Sequence, residues 1–265
     1  DIPRSVTSIG DEAFLRCQNL KNIKISKNVA SIGKSAFENC TSLTMVENEQ
    51  PSQLRIIDNH AFKGCTSLQT IYIPAGVLRV GKGVYENCVK AINITISEGV
   101  TYIDDEAFKG CIELIEISLP KTLFEIGTSV FENCHNLKLV EICQGSLLEY
   151  IGCSSFFGCK NLISFHIPKG VTKIGDRSFQ GCINLESIII PNTVKQIGYC
   201  GFYDCNNLAT VLFEDQSQLE YIGSASFKNC YNLIEITLPN ALRTIMDSTF
   251  ENCVKLSKVQ LPKKI

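Results

Sequence analysis

The sequence predicts a solenoid of about eleven coils with stacked parallel strands, because one cysteine pattern repeats along nearly the whole chain. Successive cysteines of this pattern are separated by 23 residues seven times and by 25 residues three times. A fixed period of this size indicates repeats that each add one coil and contact only their neighbours. We therefore expect residues 1–265 to form a single array. The recurring cysteines are Cys17, Cys40, Cys65, Cys88, Cys111, Cys134, Cys159, Cys182, Cys205, Cys230 and Cys253.

The first half of each repeat predicts one strand. The consensus reads Cys-x-x-Leu-x-x-Ile-x-Ile-Pro-x-x-Val-x-x-Ile-Gly-x-x-Ala-Phe-x-x, and its Ile-x-Ile part has the period of two of a strand with one buried face. Proline cannot donate to a ladder and closes the strand. We expect these strands to stack in parallel on the concave face. The closing prolines are Pro74, Pro120, Pro168, Pro191, Pro239 and Pro262.

The second half of each repeat predicts a short turn on the convex side. Its Ala, Phe and Cys positions are too close for an independent helix and suit a single 3₁₀ or α turn. The residue before each cysteine is nearly always Asn or Gly, types that tolerate the left-handed conformation, so it should end the turn. The phenylalanines three residues before each cysteine should form a stacked column, in which Tyr85 substitutes once.

Both ends of the chain fall inside a repeat, which favours a slice of a longer protein. The equivalent positions at the two ends are Ile2, Pro3 and Val6, and Leu261, Pro262 and Ile265.

The composition argues against two classes of partner. The formal charge is −2, so the chain lacks the excess of positive charge that binds nucleic acid. No apolar run approaches the ~20 residues that cross a bilayer, so we expect no membrane insertion by this segment.

Two stretches resemble a known family closely. They are Ala-Phe-Lys-Gly-Cys-Thr-Ser-Leu at 61–68 and Ile-Pro-Lys-Gly-Val-Thr-Lys-Ile-Gly at 167–175. The pattern resembles the BspA-type leucine-rich repeats, also called the Treponema pallidum class, over essentially the whole chain. The resemblance implies a curved leucine-rich repeat solenoid, found mainly in surface proteins of host-associated bacteria and parasitic protists. It also implies adhesion or binding without enzymatic activity, and no motif residue with a chemical role. Departures are modest: Asp58, Asp104 and Met246 replace the consensus Gly, and Ala91 replaces Leu.

The cysteines and histidines predict neither a disulfide ladder nor a metal site. Cβ atoms of neighbouring ladder cysteines should lie ~4.8 Å apart, whereas a disulfide requires about 3.8 Å. We therefore expect buried, reduced thiols in the ladder. Cys143, Cys153 and Cys200 lie in other columns and should also be free. The chain has no Cys-x-x-Cys, and its three histidines occupy different columns, so no metal or cofactor is expected.

One cysteine and histidine are adjacent in sequence, Cys134 and His135. We expect no catalytic dyad from this pair, since Cys134 should point into the core and His135 outward. No other combination of residues predicts enzymatic activity.

The outward face of the predicted strands is the best candidate for function. Residues five and seven beyond each cysteine should point out of the sheet, and several are apolar where polar residues would be more soluble. Exposed apolar clusters often mark partner sites. The alternatives are strand propensity in a tolerant column or contact with a neighbouring copy. The candidate patch comprises Leu139, His166, Ile189 and Leu212, flanked by Tyr72.

Three coils carry two extra residues after the strand, at 47–53, 141–146 and 214–218, and all three loops should emerge on one rim. The third loop borders the patch and would supply Glu214, Asp215 and Gln218 as polar neighbours.

These features predict a binding or adhesion segment of a surface or secreted protein, with a protein or another extracellular macromolecule as its partner. The alternative is a cytoplasmic scaffold or assembly protein, which the number of free thiols favours. Sequons at Asn39 and Asn93 are too short to assign a compartment.

Overall fold

The chain forms a solenoid with one long strand in every coil. A computed structural model describes residues 1–261, and within them there are eleven long strands of three or four residues and no helix. This confirms the predicted strand in each repeat. The long strands are β2 (Asn22–Ile25), β4 (Met45–Asn48), β6 (Thr70–Ile73), β8 (Asn93–Ile96), β10 (Glu116–Leu119), β12 (Leu139–Ile142), β14 (Ser164–His166), β16 (Ser187–Ile190), β18 (Thr210–Phe213), β20 (Glu235–Thr237) and β21 (Lys258–Gln260).

A second set of strands was not predicted. Each consists of two residues and includes the apolar residue of the Ile-Gly pair, which is buried, while the residue before it faces outward. The short strands are β1 (Ser8–Ile9), β3 (Ser31–Ile32), β5 (Ile56–Ile57), β7 (Arg79–Val80), β9 (Tyr102–Ile103), β11 (Glu125–Ile126), β13 (Tyr150–Ile151), β15 (Lys173–Ile174), β17 (Gln196–Ile197) and β19 (Tyr221–Ile222).

The two sets of strands differ in continuity. All ten short strands join in one parallel sheet, whereas the long strands divide into pairs β2–β4, β6–β8 and β10–β12 and a five-stranded sheet from β14 to β21. Within each sheet the residues that pair are equivalents one coil apart, as in the match of Ile23 with Val46. The expected single stack of long strands is therefore interrupted at three places.

The return limb consists of hydrogen-bonded turns. In one coil the N–H groups of Ala36, Glu38 and Cys40 donate to the carbonyl three residues back, at 3.1 to 3.2 Å. The intervening N–H groups, such as that of Phe37, donate to the next coil. Because only alternate residues bond within the limb, the turns do not join into a 3₁₀ helix.

Two positions in each return limb are left-handed. The predicted one, immediately before the cysteine, has positive φ throughout, including Arg16 and Asp204, which are neither Asn nor Gly. The other lies five residues before the cysteine and holds residues as different as His60 (φ 59°) and Arg177 (φ 58°). Such conformations cost L-residues free energy, and the hydrogen bonds between coils hold them in place.

A column of aromatic rings runs through the core. Each ring from Phe14 to Phe250, with Tyr85 in its expected place, stacks on the next at centroid separations of 4.9 to 5.7 Å. Phe165 adds edge contacts to Phe156 and Phe179 at 4.9 and 5.0 Å. The predicted column is confirmed, and it links every coil to its neighbours.

Ten ladder cysteines, from Cys40 to Cys253, are buried, whereas Cys17 in the first coil is exposed. Each of the ten thiols donates to the carbonyl of the column aromatic in the preceding coil, at 3.0 to 3.5 Å. A thiol therefore suits this column because it is small, largely apolar and still a weak donor.

Pro262 and Ile265, which the repeat phase aligned with Pro3 and Val6, lie outside the described residues.

Candidate binding surface

The outward side chains of the long strands form one surface, which we call the long-strand face. In nine of the eleven long strands within residues 1–261 the second residue is buried, while the first and third residues point outward. The second residue is half-buried at Val46 and exposed at Val259. The outward side chains do not pack in the core, so packing does not restrict which residues occupy these positions.

Three predicted site residues lie side by side on this face. His166 pairs with Ile189, and Ile189 pairs with Leu212, in adjacent parallel strands β14, β16 and β18. Side chains in register on neighbouring parallel strands lie about 4.8 Å apart. Ile189 and Leu212 are 50% and 53% exposed, so the three residues form a continuous stripe with an apolar centre.

The other two predicted face residues lie farther away. Leu139 is 39% exposed in β12, but it occupies the first outward column and the ladder between β12 and β14 is open. Tyr72 is 40% exposed in β6, four coils before His166, and pairs with Thr95. At about 4.8 Å per coil this distance is roughly 20 Å, so Tyr72 does not join the stripe.

The loop at 214–218 follows β18 and folds back on the two preceding coils. Glu214 Oε1 lies 3.7 Å from Lys169 Nζ, and its other oxygen accepts from the N–H of Asn192 at 3.3 Å. Asn192 also donates to the Asp215 carbonyl, and the N–H of Gln218 donates to the Asn192 carbonyl. The loop is therefore held beside the stripe. The other two predicted loops start too early, because residues 47–48 belong to β4 and residues 141–142 to β12. The chain leaves β4, β12 and β18 at equivalent positions.

Two clefts open where long strands separate. Strands β18 and β20 share one ladder pair, Thr210 with Glu235, and a cleft of about 480 Å³ lies between their remaining residues and the 214–217 segment. A second cleft of about 280 Å³ lies between β8 and β10 and is lined by polar outward residues that include Thr95 and Ser118. The first of these adjoins Leu212 and so continues the stripe.

The buried thiols are poorly suited to chemistry. Burial raises the pKa of Cys40 and Cys253 to about 11 and that of Cys134 to about 12. These thiols are consequently protonated at neutral pH, and the thiol is a far weaker nucleophile than the thiolate. His135 turns away from Cys134, because its Nδ1 lies 2.9 Å from the Gly158 carbonyl whereas the thiol donates to Phe108. The two side chains diverge as predicted.

The remaining cysteines and histidines do not converge on a site either. All fourteen cysteines are free, with Cys143 exposed in its loop, Cys153 half-buried and Cys200 buried. Within residues 1–261 no three His, Cys, Asp or Glu side chains form a group suited to a metal ion. That same part of the chain holds no helix that could span a membrane.

A second exposed surface has no counterpart among the predicted features. The outward residues of the short strands include Tyr102, Tyr150 and Tyr221, and basic groups lie near two of these rings. The Arg79 guanidinium is 5.9 Å from the Tyr102 ring centre, and Lys173 Nζ is 5.7 Å from that of Tyr150. The signal for this surface in the sequence is the tyrosine that precedes the buried isoleucine of the short strand in three coils.

Comparison with known proteins identifies the repeat. The family model described as the BspA type leucine rich repeat region matches residues 1–88, 47–159 and 149–265, which together cover the chain. The chain belongs to the BspA-type leucine-rich repeat family. The BspA-type repeat is typically a non-catalytic scaffold, and the expected fold is confirmed. No curated protein matches the chain significantly.

Solved bacterial proteins share this solenoid fold. A leucine-rich repeat protein from Bacteroides ovatus is 27% identical, with a TM-score of 0.68 over 97% of this chain and 77% of its own. A leucine rich cell surface protein from Faecalibacterium prausnitzii is 26% identical, with a TM-score of 0.52 over 96% of this chain and 83% of its own. The pneumococcal vaccine antigen PcpA, at 20% identity and a TM-score of 0.62, shares the fold over 96% of this chain and 73% of its own.

Proposed function

We propose that the chain is a non-catalytic binding or adhesion segment of a surface or secreted protein, which contacts a protein or another extracellular macromolecule through its long-strand face. The observation that carries the proposal is the stripe of His166, Ile189 and Leu212, three exposed side chains in register on a surface free of core constraints. Exposed apolar groups bordered by polar residues are typical of partner sites. The cell-surface description of the similar Faecalibacterium prausnitzii protein supports the proposed location.

A cytoplasmic scaffold is the second candidate, and the fourteen free thiols favour it. The ten buried ladder thiols weaken this argument, because oxidants reach buried thiols poorly. Antibodies against residues 1–265 distinguish the two locations. Labelling of intact cells of the source organism supports the surface protein, whereas labelling only after permeabilisation supports the scaffold.

The binding face is tested by selecting peptides from a random display library on the wild-type protein. The selected peptides should bind the Ile189→Ser/Leu212→Ser variant at least tenfold more weakly, equivalent to about 1.4 kcal/mol. The matched control is Ile56→Ser/Leu78→Ser, which removes residues 54% and 61% exposed at a distance from the face. Both variants should keep the wild-type stability within about 0.5 kcal/mol per site. The proposal would be refuted if the selected peptides bound the two variants equally, or if only Ile56→Ser/Leu78→Ser weakened their binding.

A further inference from the structure

The long-strand face has an unusual distribution of charge. From β4 to β20 its two outward columns contain eighteen positions, two in each of nine strands, and none is Lys or Arg. Four of the same positions are carboxylates, although the whole chain contains nearly as many basic as acidic residues, 25 against 27. The middle of the face, from β4 to β20, is therefore acidic and apolar, whereas the end strands β2 and β21 carry Lys24 and Lys258, which pair with Glu47 and Glu235 at 3.1 and 3.4 Å. The four carboxylates are Glu47, Glu116, Glu141 and Glu235.

These carboxylates lie on both sides of the apolar stripe. Glu141 precedes His166 by one coil in the same outward column, and Glu235 follows Leu212 by one coil in the neighbouring column. The loop residue Asp215 lines the cleft beside Leu212. Four coil steps from Glu141 to Glu235 correspond to about 20 Å at ~4.8 Å each. The order along the solenoid is thus acidic, apolar, acidic.

Few basic groups of the chain itself neutralise this region. Lys258 lies 3.4 Å from Glu235, and Lys169 lies 3.7 Å from Glu214. Both lysines are exposed, and ion pairs of exposed lysines contribute little stability. Within residues 1–261 no basic side chain forms an ion pair with Glu141 or Asp215. Glu141 accepts a hydrogen bond from Ser118 at 2.7 Å, which leaves its charge uncompensated.

We propose that the long-strand face binds an extended polypeptide segment in which two basic residues flank apolar ones. The inference rests on the proposed function and names the partner chemistry. An extended chain rises about 3.3 Å per residue and presents alternate side chains on one side. A seven-residue segment therefore spans about 20 Å. It places its first side chain at Glu141, its seventh at the cleft that Asp215 and Glu235 both line, and its third and fifth on Ile189 and Leu212.

The probe follows from this geometry. It is the fluorescein-labelled peptide Lys-Ser-Leu-Ser-Leu-Ser-Lys, and its binding is measured by fluorescence anisotropy. Replacing both lysines with Glu should weaken binding about tenfold or more, because attraction becomes repulsion at both ends. Replacing both leucines with Ser should weaken it to a similar degree, because the apolar contact is lost. Raising NaCl from about 50 to about 300 mM should weaken binding of the lysine peptide, because salt screens the attraction, and should not weaken binding of the glutamate peptide.

The protein variants locate the contact. Glu141→Gln/Asp215→Asn should bind the lysine peptide about fivefold more weakly than wild type, because two exposed charge pairs are lost. Glu149→Gln/Glu220→Gln makes the same change in net charge at exposed positions away from the face, and it should bind as wild type does. Equal weakening in the two variants would overturn the proposal, since it would show only a general charge effect.

Equal binding of the lysine and glutamate peptides would also overturn the proposal. So would the absence of binding by any probe at about 1 mM, a concentration that still detects interactions of about −4 kcal/mol. Failure of the proposed function is a separate outcome. In that case, peptides from the unbiased library would bind wild type and Ile189→Ser/Leu212→Ser equally. Library peptides that depend on the face but lack basic residues would leave the proposed function standing and overturn the basic partner.

Discussion

At the scale of single residues, one polar side chain stands where the repeat requires an apolar one. Asn48 is the fourth residue of β4 and pairs with Ile25, and the next coil has Ile73 at this position, with both isoleucines buried. The Asn48 Oδ1 atom is buried without a hydrogen-bond partner, and Asn48 lines a small cavity together with buried Tyr85 and exposed Tyr72. A buried polar atom without a partner costs about 1–3 kcal/mol.

Asn48→Ile should therefore stabilise the protein, by about 1–2 kcal/mol, because it removes this unpaired group and fills the column. The free energy of unfolding in urea measures the effect. Asn93→Ile is the matched control, since Asn93 is exposed in β8 and its replacement should change stability by no more than about 0.5 kcal/mol. A loss of stability in Asn48→Ile would show that the Asn48 amide has a role that packing does not explain.

At the scale of the element, the long-strand and short-strand ladders respond differently to insertions. The long-strand ladder is open after β4 and β12 and nearly open after β18, and each of these strands is followed by a loop with two extra residues. We attribute these openings to the extra residues, while the short strands, which lie beyond the loop, stay paired. The opening between β8 and β10 follows a coil of ordinary length, so loop length does not explain it.

A ladder of asparagine side chains also links the coils. The Nδ2 groups of Asn161, Asn184, Asn207 and Asn232 each donate to the asparagine Oδ1 of the preceding coil, at 3.2 to 3.3 Å, and the ladder begins at Asn136. Each such bond contributes about 0.5–1.5 kcal/mol. The ladder supplies contacts between coils that do not depend on the strands.

Asn184→Ala should lower the free energy of unfolding by about 1–3 kcal/mol, since Asn184 donates one bond and accepts another. Asn136→Ala should cost about half as much, because within the ladder Asn136 only accepts. Urea denaturation of the two variants tests this difference. Equal losses would mean that the bond from Asn184 to Asn161 contributes nothing measurable.

At the scale of the whole molecule, the buried thiols couple folding to pH. Burial raises the pKa of the ten buried ladder thiols, for example to about 11 in Cys40 and about 12 in Cys134. In the unfolded chain these thiols ionise near their ordinary pKa of about 8.5 to 9. The folded state therefore binds more protons than the unfolded state above that pH. The buried thiols therefore contribute their full stabilisation below about pH 8.5 and lose it as the pH rises through their pKa in the folded protein.

Stability should fall steeply between about pH 9 and pH 11, by up to about 1.4 kcal/mol per pH unit for each buried thiol. Unfolding in urea at a series of pH values measures the slope. Cys111→Ala removes one buried thiol and should reduce the slope of the unfolding free energy against pH by about one tenth. Cys143→Ser changes an exposed cysteine and should leave that slope as in wild type. A flat pH profile in the wild-type protein would contradict this coupling.

The sequence by itself determined the repeat and everything that repeats with it: eleven coils, one long strand in each, the aromatic column through Phe108 and Phe131, and the left-handed residue before each cysteine. These features follow from local residue chemistry repeated at a constant interval, so one coil predicts the others. It also placed Ile189 and Leu212 on an outward face, because a strand alternates its side chains with a period of two.

Only the tertiary structure decided how the coils meet. The short-strand ladder consists of two residues per coil, too few to show an alternating pattern. The second left-handed position holds Glu12, His60 or Arg177 and has no characteristic residue type. The separation of Tyr72 from the stripe at Ile189, and the cleft beside Leu212, depend on which strands pair across the coils. The physical reason is the same in each case: these features arise from hydrogen bonds between coils, and the residues of a single coil do not encode them.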